Sequence, residues 1–363
     1  MIKLVNLVGA RPQFIKAAAI TNALAAYAGQ VKHVLVHSGQ HYDEGLSDVF
    51  FEQLQLPEPE YYLDAPKATQ VEQLAHIMLR LQEVIAKEKP DVLLLYGDTT
   101  TTLAGAITGA KMGVKVAHIE AGLRSYNNAM PEEQNRVLTD KVSSFLYVPT
   151  TQGMANLKAE GIVTNPGVTE VMKVGDVMLD CLRLFGNNPP QSNAVKKLLD
   201  NPKPILLVTL HRNFNADDLG ALQELGEAFE ILSSTYQIAF PVHPRTRKSL
   251  EKLDVYSTDW LLPPISYFDM LALEREAKLI LTDSGGVQKE AYYFKKPLVI
   301  LRPETEWVEL VEYGVAKLCP VKRDDIINAV KTFHGFNYPD LPQFYGDGHS
   351  AEKICNHLID ALS

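Results

Sequence analysis

The stretch DVLLLYGDTTTTLAGAITGAKMGVKVAHIEAG, residues 91–122, decides the fold class. Val92–Tyr96 is a short apolar run, and it is followed by a glycine, a carboxylate and four threonines that suit the cap and first turn of a helix. A second apolar run, Lys115–His118, leads into another carboxylate, Glu120. Strand, helix and strand within about 30 residues make a βαβ unit, whose strands are parallel and covered by helices on both faces. Working outward, the same alternation recurs. In the first half Ile2–Val8, His33–Val36 and Phe145–Val148 read as further strands. Thr69–Lys89 reads as a helix with Val71, Leu74, Ile77, Met78, Leu81 and Ile85 on one face and Pro90 as its stop.

Between Gly186 and Pro204 the turn formers and prolines of GNNPPQSNAVKKLLDNPKP read as a surface excursion around one short helix. Strands then resume at Ile205–Leu210, Gln237–Phe240, Leu279–Leu281, Leu298–Leu301 and Ala316–Leu318. A chain of 363 residues, at about 150 per domain, holds two such domains. The expected fold is α/β, with two Rossmann-like doubly wound domains meeting near Thr169 and a nucleotide-type ligand between the carboxyl ends of their sheets.

Composition excludes several classes. Hydrophobic residues make up 46% and charged residues 22%, enough apolar material for two cores. The net charge of −9 lacks the basic footprint of a nucleic-acid binder. Cys181, Cys319 and Cys355 are scattered outside any C-x-x-C spacing, which argues against a disulfide framework or structural zinc and fits a reducing cytoplasm. With no signal-peptide pattern at Met1–Val8 and no run of 18 apolar residues, a soluble protein is expected, away from the membrane.

The residues able to do chemistry stand where the strands end. After Val8 comes Gly9-Ala10-Arg11-Pro12, a turn into a helix whose free amides, with Arg11 and Lys16, could face an anion. Asp98 and Glu120 follow successive strands, and Met130-Pro131-Glu132-Glu133-Gln134-Asn135-Arg136 opens a helix with acids in its first turn. Three acids beside several cations suit acid/base work on an anionic substrate. In the second half His211 follows a strand and reads equally as a ligand or a core residue. His243-Pro244-Arg245-Thr246-Arg247 makes a cationic corner. Thr282-Asp283-Ser284-Gly285-Gly286 opens a helix whose small residues let amides approach a diphosphate. Glu290, one to two turns further on, suits the two hydroxyls of a ribose. No Walker loop and no G-x-G-x-x-G occurs, so ATP and NAD are disfavoured. No metal-ligand spacing appears either, and neither a metal nor another cofactor is expected.

Taken in order, GARPQFIK, SGQHYD, YGDTTTTLAGA, HIEAGLRS, MPEEQNRVLTD, VGDVMLD, HPRTR, LTDSGGVQKEA and KKPLVILRPETEW make the chain similar to the non-hydrolysing UDP-N-acetylglucosamine 2-epimerases, from Ile2 to the closing GDGHSAEKI. The resemblance implies a glycosyltransferase-B-like arrangement, with domains at 1–168 and 169–345 facing across a cleft and a helix in 346–363 crossing back onto the first. It implies anti-elimination of UDP to a 2-acetamidoglucal, followed by re-addition to give the C2 epimer. Asp98, Glu120 and Glu132 match the family's catalytic acids, and His211 its histidine near the diphosphate. Arg11, Lys16 and Arg136 would hold the diphosphate or ease its departure. Ser284, Gly285 and Gly286 would bind phosphate, and Glu290 the ribose. Gln40, His41 and His243 match residues around a second, regulatory UDP-sugar site, and a homodimer is implied.

Two features depart from the common pattern. Thr305-Glu306-Trp307 replaces T-E-R, so a cation near the phosphates gives way to Trp307, with Arg302 or Arg245 as compensation. GARPQ, MPEE, HPRTR, QKEA and TEWVEL together look like the subgroup acting on UDP-2,3-diacetamido-2,3-dideoxy-glucuronate, whose carboxylate would suit Arg245 or Arg247. That sugar is the alternative substrate. A nucleotide-sugar glycosyltransferase of the same fold, a UDP-sugar sensor and a hydrolysing variant are the rival functions.

Overall fold

The computed structural model describes residues 1–40, 51, 53–66 and 68–363. The chain divides into two units, Met1–Cys181 with Gln343–Ser363, and Leu182–Pro342. Among the described residues the first carries seven strands: β1 Ile2–Val8, β2 Val31–His37, β3 Tyr61–Tyr62, β4 Val92–Tyr96, β5 Lys115–Ile119, β6 Phe145–Val148 and β7 Glu170–Lys173. All pair in parallel, in the order β3-β2-β1-β4-β5-β6-β7. The second unit has β8 Ile205–Thr209, β9 Gln237–Pro241, β10 Leu261–Leu262, β11 Leu279–Thr282, β12 Leu298–Ile300 and β13 Ala316–Leu318. They too are parallel, in the order β10-β9-β8-β11-β12-β13.

Both sheets therefore reverse direction of winding at their centre, between β1 and β4 and between β8 and β11. Helices leave such a pair of strands toward opposite faces, so their carboxyl ends open a crevice where ligands sit in doubly wound folds. The expected α/β class with two Rossmann-like domains stands. Each sheet is buried on both sides: Val5, Val34, Ile77, Leu81 and Leu93 join one core, and Val208, Phe229, Phe240, Leu281 and Val299 the other. At roughly 1.5–3 kcal/mol for each fully buried aliphatic or phenyl side chain, these layers dominate the stability of each unit.

The longest helix of the first unit, Gln70–Glu88, starts where Thr69 and Glu72 cap each other and ends at Lys89, whose φ of 50° breaks the helix. Its buried face is Ile77, Leu81, Val84 and Ile85. The expected Val71 is 75% exposed. The boundary expected near Thr169 lies instead after Cys181, since Glu170–Lys173 pairs with β6 and extends the first sheet. The closing helix Ser350–Leu362 belongs to this same unit. Its first amides, of Ser350 and Ala351, donate to the Asp180 carboxylate at 3.1 and 2.8 Å. No helix among the described residues is long and apolar enough to cross a membrane.

Candidate functional site

In the first unit the turns after β1 and β4 are held together by one side chain. Gln13, in the helix Arg11–Leu24, accepts from the Gly9 and Ala10 amides at 2.8 and 3.1 Å and donates to the Tyr96 carbonyl at 2.9 Å. A Cβ at Gly9 would overlap the Ser38 and Thr101 side chains, so that glycine answers a packing need. Thr99 caps the helix Thr100–Lys111, accepting from the Thr102 amide. Asp98 is thereby left at the strand end, free of the capping duty its position suggested.

The Asp98 carboxylate pairs with the Arg136 guanidinium, whose other arm donates to Glu133 at 2.9 Å. Burial opposes the Arg136 charge, but Asp98, with Glu133 and Glu120, outweighs it and raises the basicity of the guanidinium. Glu120 pairs with Lys16, and both side chains are about nine-tenths buried, at 13% and 9% exposed. A Cβ on Gly97 would lie 3.3 Å from the Glu120 carboxylate and 3.8 Å from the Lys16 ammonium, so this pair sits over the turn that presents Asp98. Glu120 holds φ at 75°, a left-handed conformation that costs a non-glycine residue about 1–3 kcal/mol and clusters at functional sites.

The structure thus gathers Asp98, Glu120, Lys16 and Arg136. Glu132 stands half-buried in the first turn of the helix Pro131–Val142, while its neighbour Glu133 is buried and accepts from the Ser125 and Tyr126 amides, both at 2.9 Å. Arg11 is exposed at the start of its helix. Gln40 accepts from the Thr101 amide and hydroxyl at 3.1 and 2.7 Å, and His41 lies outside the described residues.

In the second unit Asp283, fully buried, accepts from the His211 and Arg212 amides at 2.8 and 3.0 Å, which fixes the turn after β8 against that after β11. His211 itself is exposed at the strand end, not part of the core. Ser284 is the N-cap of the helix Gly285–Tyr293. A Cβ on Gly285 or Gly286 would find nothing nearer than 3.6 and 3.8 Å, and neither residue needs a positive φ. The protein's own packing does not demand these two glycines, whereas close approach of a ligand to the helix amides would. Glu290 is buried on the same helix. Burial first, and then the neighbouring Glu290 charge, push the fully buried Glu274 carboxyl up.

Arg302 forms a fork-to-fork pair with Glu306 at 2.9 and 3.0 Å and holds that carboxyl below the usual range despite its burial. Its charge is matched locally, which weakens its expected part in compensating for Trp307. Trp307 donates to the Gly285 carbonyl at 3.0 Å, and the Lys289 ammonium lies 4.7 Å from its ring centre. The tryptophan therefore packs against the base of the glycine turn, with Lys289 supplying the nearby cation. His243 is exposed just before the helix Pro244–Leu250. Sequence reading missed Gln13, Glu133, Asp283 and Lys289. Polar residues inside helix starts and strand ends were the signal, but only tertiary partners distinguish them from solvated ones.

Residues 23–359 match the family model described as UDP-N-acetylglucosamine 2-epimerase. The chain is 41% identical over 358 residues to the UDP-2,3-diacetamido-2,3-dideoxy-D-glucuronate 2-epimerase of Pseudomonas aeruginosa, covering 98% of this chain and 99% of that one. It is 37% identical over 372 residues to a UDP-N-acetylglucosamine 2-epimerase of Methanococcus maripaludis, with 98% of each covered. Among solved structures, the UDP-N-acetylglucosamine 2-epimerase of Methanocaldococcus jannaschii in complex with UDP-N-acetylglucosamine and UDP superposes with a TM-score of 0.85 at 37% identity, over 98% of this chain and 99% of that one.

Proposed function

The chain belongs to the UDP-N-acetylglucosamine 2-epimerase family, and from that premise we propose that this isomerase interconverts the C2 epimers of a UDP-linked 2-acetamido sugar by eliminating and re-adding UDP. The proton on C2 is not acidic, since its neighbour C1 is an acetal carbon. It leaves only if the electron pair has somewhere to go. A carboxylate takes the C2 proton, the C1–C2 double bond forms, and the C1–O bond breaks with its electrons passing to the β-phosphate oxygen. Return of that oxygen to C1, with a proton delivered to the other face of C2, gives the epimer.

The observation that carries this reading is the pairing of two carboxylates with two cations at the ends of β4 and β5, Asp98 with Arg136 and Glu120 with Lys16. Each cation lies directly against its carboxylate and can respond to charge that develops on a departing phosphate. Glu132, on the first turn of the next helix, supplies the third acid. Uridine diphosphate falls to the second unit, with its phosphates on the Ser284–Gly286 amides, His211 near the diphosphate and Glu290 on the ribose. The reading carries a homodimer with it, checked by sedimentation of the purified chain.

UDP-N-acetylglucosamine is the leading substrate. The 41% identity to the Pseudomonas aeruginosa protein favours a second, UDP-2,3-diacetamido-2,3-dideoxy-glucuronate. Measuring kcat/KM for both by proton NMR of the anomeric signals separates them. A manno-configured product from either supports epimerisation and identifies the substrate. With no product from either, a glycosyltransferase or a sensor becomes the better account.

A further inference from the structure

The carboxylates of the first unit hang on turns, and turns do not hold side chains still unless something buried fixes them. Behind Asp98 and Glu120 lies a cluster that takes no part in the proposed chemistry. His118, on β5, is fully buried. Its Nδ1 meets the Asp140 carboxylate at 2.7 Å and its Nε2 the Gly97 carbonyl at 2.8 Å. Both ring nitrogens thus face oxygen atoms, one on the helix Pro131–Val142 and one on the Gly97 turn. The second oxygen of Asp140, 1% exposed as a residue, accepts from the Gly122 amide at 3.1 Å and from Arg124 at 2.7 Å. Arg124 in turn grips Glu160 through two bonds of 2.6 and 2.9 Å and donates to the Leu123 carbonyl. Burial opposes the charge on Asp140, yet His118 and Arg124 outweigh it and hold the carboxyl below its usual range.

The bonds of His118 and Asp140 to Gly97 and Gly122 end on segments that present acids. Gly97 immediately precedes Asp98, and Gly122 follows Glu120 by two residues. Asp140 itself sits in the last turns of the helix that begins with Pro131 and Glu132 and carries Arg136. Between the two anchors Glu120 is kept at its left-handed φ, with its amide and that of Ala121 both on the Tyr147 carbonyl at 3.1 Å. Strained backbone persists only where its surroundings over-determine it. Here an anchored residue stands on either side.

We propose that the buried His118–Asp140–Arg124 cluster is a positioning device that ties the Gly97–Asp98 turn, the Glu120–Gly122 turn and the helix Pro131–Val142 into one rigid arrangement of acids. The inference rests on the reading that Asp98 and Glu120 handle the C2 proton. None of the three residues touches the sugar. Their effect is on the placement of groups that do, and a misplacement of about 1 Å can cost about 100-fold in rate.

The test uses the full chain, the wild type beside Asp140→Asn and Glu160→Gln. Asp140→Asn is expected to lower kcat about 100-fold while calorimetric UDP affinity stays within about threefold, since the Ser284–Gly286 turn, His211 and Glu290 lie in the other unit. Amide exchange at Gly122, read by NMR on the same samples, is expected to rise at least about 10-fold. If Asp140→Asn does not fold, Glu160→Gln decides alone. It loosens Arg124 from the partly exposed end and is expected to lower kcat about fivefold with an unchanged melting temperature. Unaltered kcat, unaltered Gly122 protection, or equal losses of turnover and UDP affinity would overturn the proposal. A wild type that epimerises neither sugar refutes the functional reading instead, and the exchange rate at Gly122 still decides on the cluster.

Discussion

The two central crevices, one in each sheet, are furnished in opposite ways. Between β1 and β4 the cations are already partnered by the unit's own acids, Lys16 by Glu120 and Arg136 by Asp98, and the backbone carries a strained glutamate. Between β8 and β11 the helix start is bare: two glycines with ordinary space around them, and a buried Asp283 that accepts from the His211 and Arg212 amides and from the Asn215 side chain. One topology carries paired charges at its strand ends and, in its second copy, a helix start opened by glycines, which the proposed function assigns to proton transfer and to phosphate binding respectively. Function here resides in the residues grafted onto the strand ends, not in the fold.

If that contrast is right, substitutions in the two units should fail differently. The largest effect is expected in the first. Asp98→Asn, Glu120→Gln and Glu132→Gln should each fold normally and lose kcat by about 100-fold or more, with UDP affinity by calorimetry unchanged. Near-full turnover in any one removes that residue from the chemistry. Next comes Gly286→Val in the second unit. Its side chain has room in the protein but stands where the phosphates are expected, so UDP affinity should fall about 10-fold or more with no change in melting temperature. A stable variant that still binds UDP fully would mean that the bare helix start is no binding site. Glu290→Ala should then weaken UDP about 10-fold through lost ribose hydrogen bonds.

The last effect lies outside both crevices, acts on stability without touching turnover or UDP binding, and sets the baseline for any pH profile. Burial lowers His33 from 6.5 to about 4, and Asn6 sits 3.2 Å from its Nε2. The unfolded chain binds the His33 proton below pH 6.5 while the folded chain does not, so stability falls as pH drops from 6.5 toward 4 and levels off below that. Over the full range the loss is about 3 kcal/mol. Thermal melts of His33→Gln across that range should lose this slope, and an unchanged slope would assign the acid sensitivity to other groups.

Much of this was legible in the sequence, and the limits have physical reasons. Val92–Tyr96 and Phe145–Val148 are strands to the residue because both faces are buried and the run is uniformly apolar. Tyr61–Tyr62, Glu170–Lys173 and Leu261–Leu262 were missed: they are two to four residues long and lie at or near sheet edges, where no apolar run is needed. Overlooking Glu170–Lys173 is also what set the domain boundary too early. In the site, residue types and strand-end positions pointed to Asp98, Glu120 and the Ser284–Gly286 turn. Sequence could not tell Glu132 from Glu133, adjacent acids in one helical turn, until the buried bonds of Glu133 to Ser125 and Tyr126 revealed its structural duty. Arg302 read as a free cation, and only tertiary geometry reveals Glu306 beside it.

The central claim is that this chain moves a proton on and off C2 through the acids of its first unit. Its most direct test is turnover of UDP-N-acetylglucosamine, or of the diacetamido uronate if that is the substrate, in deuterated water. The account predicts that the epimer formed carries deuterium at C2, and that Glu120→Gln abolishes the incorporation while still binding UDP. An epimer that retains its original C2 hydrogen would contradict it.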